Sequence, residues 1–188
     1  SAKLDVIAKG VSSRFDQLTT LELVSELESS NGWRRDTAQR LLVANAVDAA
    51  VELLIRMVTE GQRPTARLHA LCALDGMGKL SKELVETALN DPHAGVRRWA
   101  VRLAPGAKVP LQAQVRMAED EDAKVRLELA CVAGHTGDAS SSAAILSASL
   151  LRDTSPYVRA AVLSSLNFEN VRPAIDQFMK TAGLDGWR

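Results

Sequence analysis

Five arginines recur along the chain at intervals of 32, 30, 29 and 33 residues, each near the start of a helical stretch of small apolar side chains: Arg35, Arg67, Arg97, Arg126 and Arg159. A fixed period of about 30 residues is typical of stacked supersecondary units rather than of one globular core. The period therefore predicts a repeat architecture, and it shifts the functional expectation from catalysis towards recognition.

The clearest units span residues 90–101, 120–130 and 153–163, and each has an aspartate six residues before its arginine. Aspartate and proline suit a turn and a helix start, while valine followed by apolar residues at helical spacing predicts a buried face. The repeated arginine is thus expected in the first turn of the second helix of each unit.

Another apolar helical segment precedes each of these helix starts, at residues 21–27, 47–58, 80–89, 111–118 and 143–151. The apolar residues are mostly Leu and Ala, and no sustained alternation indicates a strand. We therefore expect an all-α protein, an α-solenoid of about five antiparallel helix pairs followed by a terminal capping helix.

The predicted organisation has three parts. Residues 1–17 form an N-terminal cap or linker, residues 18–167 the repeat domain, and residues 168–188 a C-terminal capping helix and linker. Terminal repeats need such caps to shield the ends of a stack. The predicted repeats cover about residues 18–45, 46–78, 79–106, 107–137 and 138–167.

This pattern of aspartate, turn, valine and arginine resembles the HEAT repeat, an α-solenoid unit, over most of residues 18–167. The resemblance implies a ladder of charge-assisted hydrogen bonds across the turns of neighbouring repeats. Ser29 and Gly61 stand at the aspartate position of the first two repeats, so the ladder should be weaker there and leave Arg35 and Arg67 freer. The residues implied in the ladder are Asp91, Arg97, Asp120, Arg126, Asp153 and Arg159.

Residues 31–42, 66–78 and 158–166 resemble one narrower group, the HEAT segment of exported bacterial proteins called membrane-bound dehydrogenase or PVC-type haem-binding proteins. Such proteins join a β-propeller, this helical segment and a cytochrome-c-like domain with a Cys-x-x-Cys-His motif. The sequence contains no such motif, so we expect no cofactor in this fragment. The resemblance implies a cell-envelope or periplasmic location for the parent; the fragment itself indicates none.

The charge balance argues against a nucleic-acid partner, and the lack of a long apolar run argues against membrane insertion. The chain has 23 basic and 23 acidic side chains among 188 residues, whereas a surface that tracks phosphates usually makes a domain clearly basic. No run approaches the roughly 18 consecutive apolar residues of a membrane span. We therefore expect a protein partner and no membrane insertion, and nucleic-acid binding is the less favoured alternative.

Catalytic and metal-binding patterns are weak. His69, His93 and His135 lie in different repeats without the spacing of a zinc site, so no metal ligand is predicted. The serines at 140–142 lack a paired base and suit a helix start. Cys72 and Cys131 have a whole repeat between them, too far apart for a disulfide, and are expected as reduced thiols. No catalytic residue is predicted.

Side chains beside the ladder form the candidate binding surface. In HEAT solenoids the second helices line the concave face, so residues at fixed offsets from each arginine are expected to form columns along it. The competing interpretation is that these arginines only solubilise the surface and that the tryptophan packs between repeats. The candidate residues are Arg40, His69, Arg98, Trp99 and Arg102.

Three classes of function are compatible with this sequence. The leading hypothesis is a non-catalytic scaffold that binds a protein segment or packs against sister domains of a larger dehydrogenase-like or haem-binding polypeptide. The alternative is a DNA-binding protein related to the HEAT-like alkylpurine DNA glycosylases. The third is a small-molecule enzyme similar to the HEAT-type bilin lyases, but no motif in the sequence supports this hypothesis.

Overall fold

The computed structural model describes residues 15, 17–45, 47–134 and 138–184. Eleven α-helices and three short 3-10 helices account for the regular structure of these residues, and no strand occurs among them. The prediction of an all-α, α-solenoid fold is confirmed. Most of the predicted cap at residues 1–17 and the end of the predicted linker, residues 185–188, lie outside the described residues.

The chain divides into two compact units, Ser1–Leu80 and Ser81–Arg188. The division falls between the second and third predicted repeats. The first unit contains α1 (Thr20–Ser25), α2 (Gly32–Ala44), α3 (Val51–Glu60) and α4 (Pro64–Gly76), with 3-10 turns at Glu26–Glu28 and Asp48–Ala50.

The second unit contains the other three pairs and the last helix. The helices are α5 (Lys82–Ala88), α6 (Ala94–Leu103), α7 (Leu111–Gln114), α8 (Ala123–Ala133), α9 (Ala139–Arg152), α10 (Pro156–Ser165) and α11 (Val171–Thr181), with a 3-10 segment at Val115–Glu119 that continues α7. The five pairs are α1–α2, α3–α4, α5–α6, α7–α8 and α9–α10.

Second helices of successive pairs pack side by side within each unit. In the first unit α2 packs on α4, and in the second α6 packs on α8 and α8 on α10. The last helix, α11, packs on α9, the first helix of the fifth pair. The face beside the repeated arginines is therefore built from α2 and α4 in one unit and from α6, α8 and α10 in the other.

Short polar residues and prolines set where the second helices begin. The Asn31 and Asp122 side chains accept backbone N–H groups at the starts of α2 and α8, and Pro64 and Pro156 occupy the first positions of α4 and α10. These caps satisfy or remove N–H groups that have no partner within the helix. Each second helix is thereby fixed in register with its turn.

The core consists of leucine, valine and alanine side chains that recur at helical spacing. The largest apolar residues with less than 2% exposure include Leu42, Leu71, Val96 and Leu129 on the second helices. Complete burial of each such side chain contributes about 1.5–3 kcal/mol. The helix pairs are thus held by a continuous seam of apolar contacts in each unit.

Gly76 allows α4 to approach α2 closely. A Cβ atom at residue 76 would lie 2.9 Å from Cγ2 of Val43. Two residues later Gly78 has a positive φ of 66°, and the Lys79 amide donates to the Leu74 carbonyl, which closes the end of the helix. Gly76 therefore acts in packing, and Gly78 in helix termination.

Candidate functional site

Each of the first four repeated arginines binds the turn of its own helix pair. Its Nη1 atom donates to the backbone carbonyl of the residue six positions earlier, which lies in the turn between the two helices. Such a bond satisfies a carbonyl that the preceding helix leaves without a partner. The donor–acceptor distances are 2.8 Å for Arg35 to Ser29, 2.8 Å for Arg67 to Gly61, 3.0 Å for Arg97 to Asp91 and 2.7 Å for Arg126 to Asp120.

These contacts change the expectation for the first two repeats. Arg67 is only 8% exposed and also reaches the Gln62 carbonyl at 3.4 Å, while Arg35 holds the turn at Ser29. Because the carbonyl of any residue can accept this bond, serine or glycine at the aspartate position does not release the arginine. Arg35 and Arg67 are therefore engaged in their turns and not freer for another role.

Two of the arginines also bind the aspartate of the following repeat. Arg97 donates from Nε and Nη2 to the two carboxylate oxygens of Asp120, both at 2.8 Å, and Arg126 donates from Nε and Nη2 to Oδ2 of Asp153 at 3.0 and 2.7 Å. In both pairs the side chains are at most 14% exposed. The ladder thus links α6 to the turn before α8, and α8 to the turn before α10.

The aspartates hold their own turns at the same time. Oδ1 accepts a backbone N–H two residues later, from His93 for Asp91, from Asp122 for Asp120 and from Ser155 for Asp153. This Asx-turn geometry orients the carboxylate before any arginine approaches it. The aspartate at this position therefore shapes the turn as well as joining the repeats.

The ladder differs from the expectation at its last arginine. Arg159 is exposed, and it donates no side-chain hydrogen bond to any residue that the structure describes. Asp153, in its own repeat, pairs with Arg126 instead. Because each ladder aspartate comes from the following repeat, Arg159 would need a turn beyond α11 to pair in the same way.

The pairing lowers the pKa of both aspartates. Burial alone raises the pKa of Asp120, but hydrogen bonds from Arg97 and the Asp122 amide, with the charges of Arg97 and Arg126, bring it below its ordinary value. The Ser155 amide, followed by Arg126, lowers the pKa of Asp153. The ionised carboxylates are therefore favoured in the folded protein.

The free energy of unfolding should consequently fall in acid. A carboxylate whose pKa is lower in the folded state stabilises the fold above its unfolded pKa of about 3.9, and this contribution is lost as the pH falls through the folded pKa. We expect Asp120→Asn to be less stable than the unsubstituted chain at pH 7, with the difference shrinking below about pH 4. Urea unfolding at pH 7, 5, 4 and 3 measures this, with Glu119→Gln, at an exposed site, as the control. A difference that stays constant down to pH 3 would contradict the pairing.

Beside the ladder, three of the candidate residues come together on α6. Arg98 and Arg102 donate from Nε to the two carboxylate oxygens of Glu128 on α8, at 2.9 and 2.8 Å. The Arg102 guanidinium lies 5.1 Å from the centre of the Trp99 ring. We name these four residues, Arg98, Trp99, Arg102 and Glu128, the α6–α8 cluster.

The α6–α8 cluster is partly buried and partly open. Glu128 is only 8% exposed at its side chain, whereas Arg98 and Arg102 are 41% and 49% exposed. Neither arginine donates a second hydrogen bond within the described part of the chain. The buried carboxylate therefore fixes two guanidinium groups whose outer atoms can still bind, and two positive charges against one negative leave a net charge of about +1.

The other two candidate residues, Arg40 and His69, belong to the first unit. Arg40 is exposed and lines a shallow depression of about 460 Å³ between α2 and α4, together with Asp36, Gln39 and Cys72. Nδ1 of His69 lies 2.6 Å from the Gln39 amide oxygen. Burial lowers the pKa of His69, and the Asp36 charge opposes this shift only in part. His69 is thus held by Gln39, and Arg40 lies in a depression lined by residues of both charges.

The remaining polar candidates have local roles. His93 caps α6 through the Gly95 amide, and Asp138 caps α9 through the Ser141 amide. Cys72 and Cys131 form no disulfide, and burial together with the Glu128 charge raises the pKa of the Cys131 thiol. His135 lies outside the described residues. Within the part that the structure describes, no three histidine, cysteine or acidic residues come together as a metal site.

Comparison with known families decides the nature of the second unit. Residues 81–167, which include α5 to α10, match the family model of HEAT repeats. This segment is a HEAT-repeat segment. No curated protein matches the chain. The HEAT match supports a scaffold or protein-interaction role, as expected for repeats of this kind.

The matched segment holds all the described ladder pairs and the α6–α8 cluster. Glu128 lies two residues after Arg126, as Trp99 lies two residues after Arg97, but it was not among the residues predicted for the binding surface. The sequence does contain a signal for this pairing. Arg98 and Arg102 follow the repeated arginine of one repeat by one and five residues, and the acidic Glu128 follows that of the next repeat by two.

No helix in the described residues is long and apolar enough to cross a membrane.

Proposed function

We propose that this HEAT-repeat protein is a non-catalytic scaffold that binds an acidic segment of another protein at the α6–α8 cluster. The observation that carries the proposal is the pair of half-exposed guanidinium groups held by the buried Glu128 carboxylate. Arginine and tryptophan are enriched in protein interfaces, and arginine binds carboxylates through two parallel N–H groups.

Preorganisation is what separates this cluster from other surface arginines. Since Glu128 accepts only from the Nε atoms, the guanidinium planes are fixed without using a hydrogen bond from their Nη atoms. Fixing the side chains before binding reduces the entropy cost that a free arginine pays on association. Trp99, half-buried beneath Arg102, offers an apolar surface beside the two charges.

Fluorescence anisotropy of a labelled decaglutamate peptide with the full chain, at low ionic strength, tests the proposal. We expect weak, saturable binding that Arg98→Glu together with Arg102→Glu weakens at least about tenfold, because each like charge repels the peptide. Arg116→Glu, a charge reversal at an exposed site elsewhere in the second unit, should leave the binding unchanged. Equal loss in the two variants would contradict a specific site.

Duplex DNA of 20 base pairs provides the second arm of the same measurement. Because Glu128 cancels half of the local positive charge, we expect DNA to bind no more tightly than decaglutamate. Strong, salt-dependent DNA binding that Arg98→Glu abolishes would favour a nucleic-acid function and contradict the acidic-protein proposal. Lack of binding to either polyanion at millimolar concentration would also contradict it.

We also propose that the scaffold is the helical part of a longer exported protein of the dehydrogenase-like, haem-binding kind. What supports this is the similarity of residues 31–42, 66–78 and 158–166 to the helical segment of such proteins. The parent would then be a bacterial oxidoreductase of the envelope or periplasm, with its cofactor held outside this chain. The sequence of the parent reading frame tests this: absence of both a β-propeller and a Cys-x-x-Cys-His motif would overturn it.

A further inference from the structure

The second helices of the second unit differ from the rest of the chain in their charge. Over the whole sequence 23 basic side chains balance 23 acidic ones. On α6, α8 and α10, whose residues are all described, the only acidic residue is Glu128, and it is buried. The basic residues on these three helices are Arg97, Arg98, Arg102, Lys124, Arg126 and Arg159. These helices are therefore strongly basic in a chain without net charge.

Ion pairs cancel only part of this charge. The ladder neutralises Arg97 and Arg126 with aspartates of the following turns. Arg98 and Arg102 share the single carboxylate of Glu128. The surplus positive charge of the α6–α8 cluster is therefore not cancelled by the ladder.

Lys124 adds a third cation on the side of α8 that carries Glu128. The two residues are four apart, so their side chains lie on one side of the helix. Lys124 is exposed, whereas Glu128 is buried between the two cluster arginines. Together with Lys124, the α6–α8 cluster therefore carries a net charge of about +2 at neutral pH.

The two cluster guanidinium groups are fixed but keep their outer N–H groups. Arg98 and Arg102 donate from Nε to different oxygens of the Glu128 carboxylate, at 2.9 and 2.8 Å. An arginine side chain has five N–H donors, so the donors on the Nη atoms remain available to a ligand. The cluster therefore presents two donor edges that one buried carboxylate holds side by side.

A phosphate monoester uses such an arrangement more fully than a carboxylate does. It carries a charge of about −1.5 to −2 at pH 7 and three strong acceptor oxygens, whereas a carboxylate carries one charge and two oxygens. Two phosphoryl oxygens can each accept from one guanidinium group, and the second negative charge matches the surplus charge of the site. A phosphodiester carries a single charge, so the same argument does not extend to a nucleic-acid backbone.

We propose, as an extension that rests on the acidic-segment function above, that the α6–α8 cluster selects a phosphorylated serine or threonine in the partner segment. The phosphoryl oxygens accept from the outer N–H groups of Arg98 and Arg102, and Lys124 supplies the third positive charge. The short serine or threonine stem suits guanidinium groups that are about half exposed. Trp99, beside Arg102, offers an apolar surface to the residue next to the phosphorylated one.

Three labelled peptides test this selectivity by fluorescence anisotropy with the full chain. They differ only in the central residue, which is phosphoserine, glutamate or serine, and each has leucine on both sides of it. We expect phosphoserine to bind at least about tenfold more tightly than glutamate, because charge-assisted bonds from both arginines replace those from one. The serine peptide should not bind.

The failures of the two proposals are distinguishable. Equal affinities of the phosphoserine and glutamate peptides, with decaglutamate still bound, would overturn the phosphate selectivity and leave the acidic-segment scaffold standing. Lack of binding to decaglutamate and to the phosphoserine peptide alike would contradict both.

Arg98→Lys combined with Arg102→Lys keeps the charge and removes the paired donor edges. We expect this variant to lose the roughly tenfold preference for phosphoserine and to bind decaglutamate within about threefold of the original chain. Arg116→Lys, at an exposed site elsewhere in the second unit, is the matched control and should keep the preference. Circular dichroism checks that each variant is folded. A preference that survives in the double variant would contradict the assignment to these two arginines.

Cys131 provides a measurement on the unsubstituted chain. It is exposed three residues after Glu128; burial raises the pKa of its thiol, and the charges of Glu128 and of the two cluster arginines also act on it. A bound phosphoserine peptide should therefore slow its alkylation by iodoacetamide, about tenfold at about ten times the Kd. Cys72, at the same repeat position in the first unit, should react at an unchanged rate.

Two results of the alkylation experiment would overturn the proposal. The first is that the phosphoserine peptide slows Cys131 and Cys72 equally, or slows neither. The second is that inorganic phosphate at the same concentration slows Cys131 as much as the peptide does, which would make the free ion the ligand. Selective protection of Cys131 by the phosphoserine peptide is the expected result.

Discussion

Replacing Arg97 by alanine is expected to lower the free energy of unfolding by about 3 kcal/mol. Arg97 is 8% exposed and makes four hydrogen bonds, two to the Asp120 carboxylate and one each to the carbonyls of Asp91 and Pro92. Its loss leaves a carboxylate and two carbonyls with fewer partners, and a buried acceptor without a partner costs more than the net value of the bond.

Arg98→Ala is the matched control because the residue is the next one on α6. Its side chain is 41% exposed, and its single described hydrogen bond is to Glu128, which keeps Arg102 as a second partner. We expect a loss of no more than about 1 kcal/mol. Urea unfolding followed by circular dichroism compares the two variants. Equal losses would contradict the distinction between the ladder and the residues beside it.

Gly134→Ala is expected to destabilise the chain by about 2–3 kcal/mol through overpacking. A Cβ atom at residue 134 would lie 2.5 Å from the carbonyl oxygen and 2.7 Å from the Cα atom of Ser165. Both are backbone atoms, and the contact is fixed by bonds from Ser165 Oγ to the Ala130 carbonyl and from Asn167 Nδ2 to the Gly134 carbonyl. The ends of α8 and α10 would therefore have to separate.

Gly95→Ala provides the contrast in the same unit. The added Cβ would meet only the end of the flexible His93 ring, at 3.0 Å, and alanine favours the helix that residue 95 occupies. We expect a change of no more than about 0.5 kcal/mol. Thermal unfolding compares the two variants. An equally small loss of stability for Gly134→Ala and Gly95→Ala would contradict the close approach of α8 and α10.

The sequence predicts the helix pairs because their signals are local. Aspartate or asparagine at a cap, proline at the first position and leucine at helical spacing each act within a few residues, so the starts of α2, α8 and α10 follow from the chain itself. The identity of ladder partners does not follow, because it depends on which turn lies opposite. Asp120 pairs with Arg97 across the repeats, 23 residues apart in sequence, and not with the arginine of its own repeat.

The candidate site is only partly predictable for the same reason. Arg98, Trp99 and Arg102 are close in sequence on one helix, and the structure brings them together. Glu128 is 30 residues from Arg98, and its burial between two arginines results from the packing of α6 on α8. Similarly, the glycine at residue 61 does not indicate in the sequence that its backbone carbonyl accepts a hydrogen bond from Arg67.

A double-mutant cycle between Arg97 and Asp120 tests most directly whether the repeated arginines join successive repeats. The free energy of unfolding is measured for the original chain, Arg97→Ala, Asp120→Ala and the double variant. The account predicts that the double variant is more stable than the sum of the single losses implies, with a coupling energy of about 1.5–3 kcal/mol. A coupling energy near zero would contradict it, because each side chain would then stabilise only its own turn.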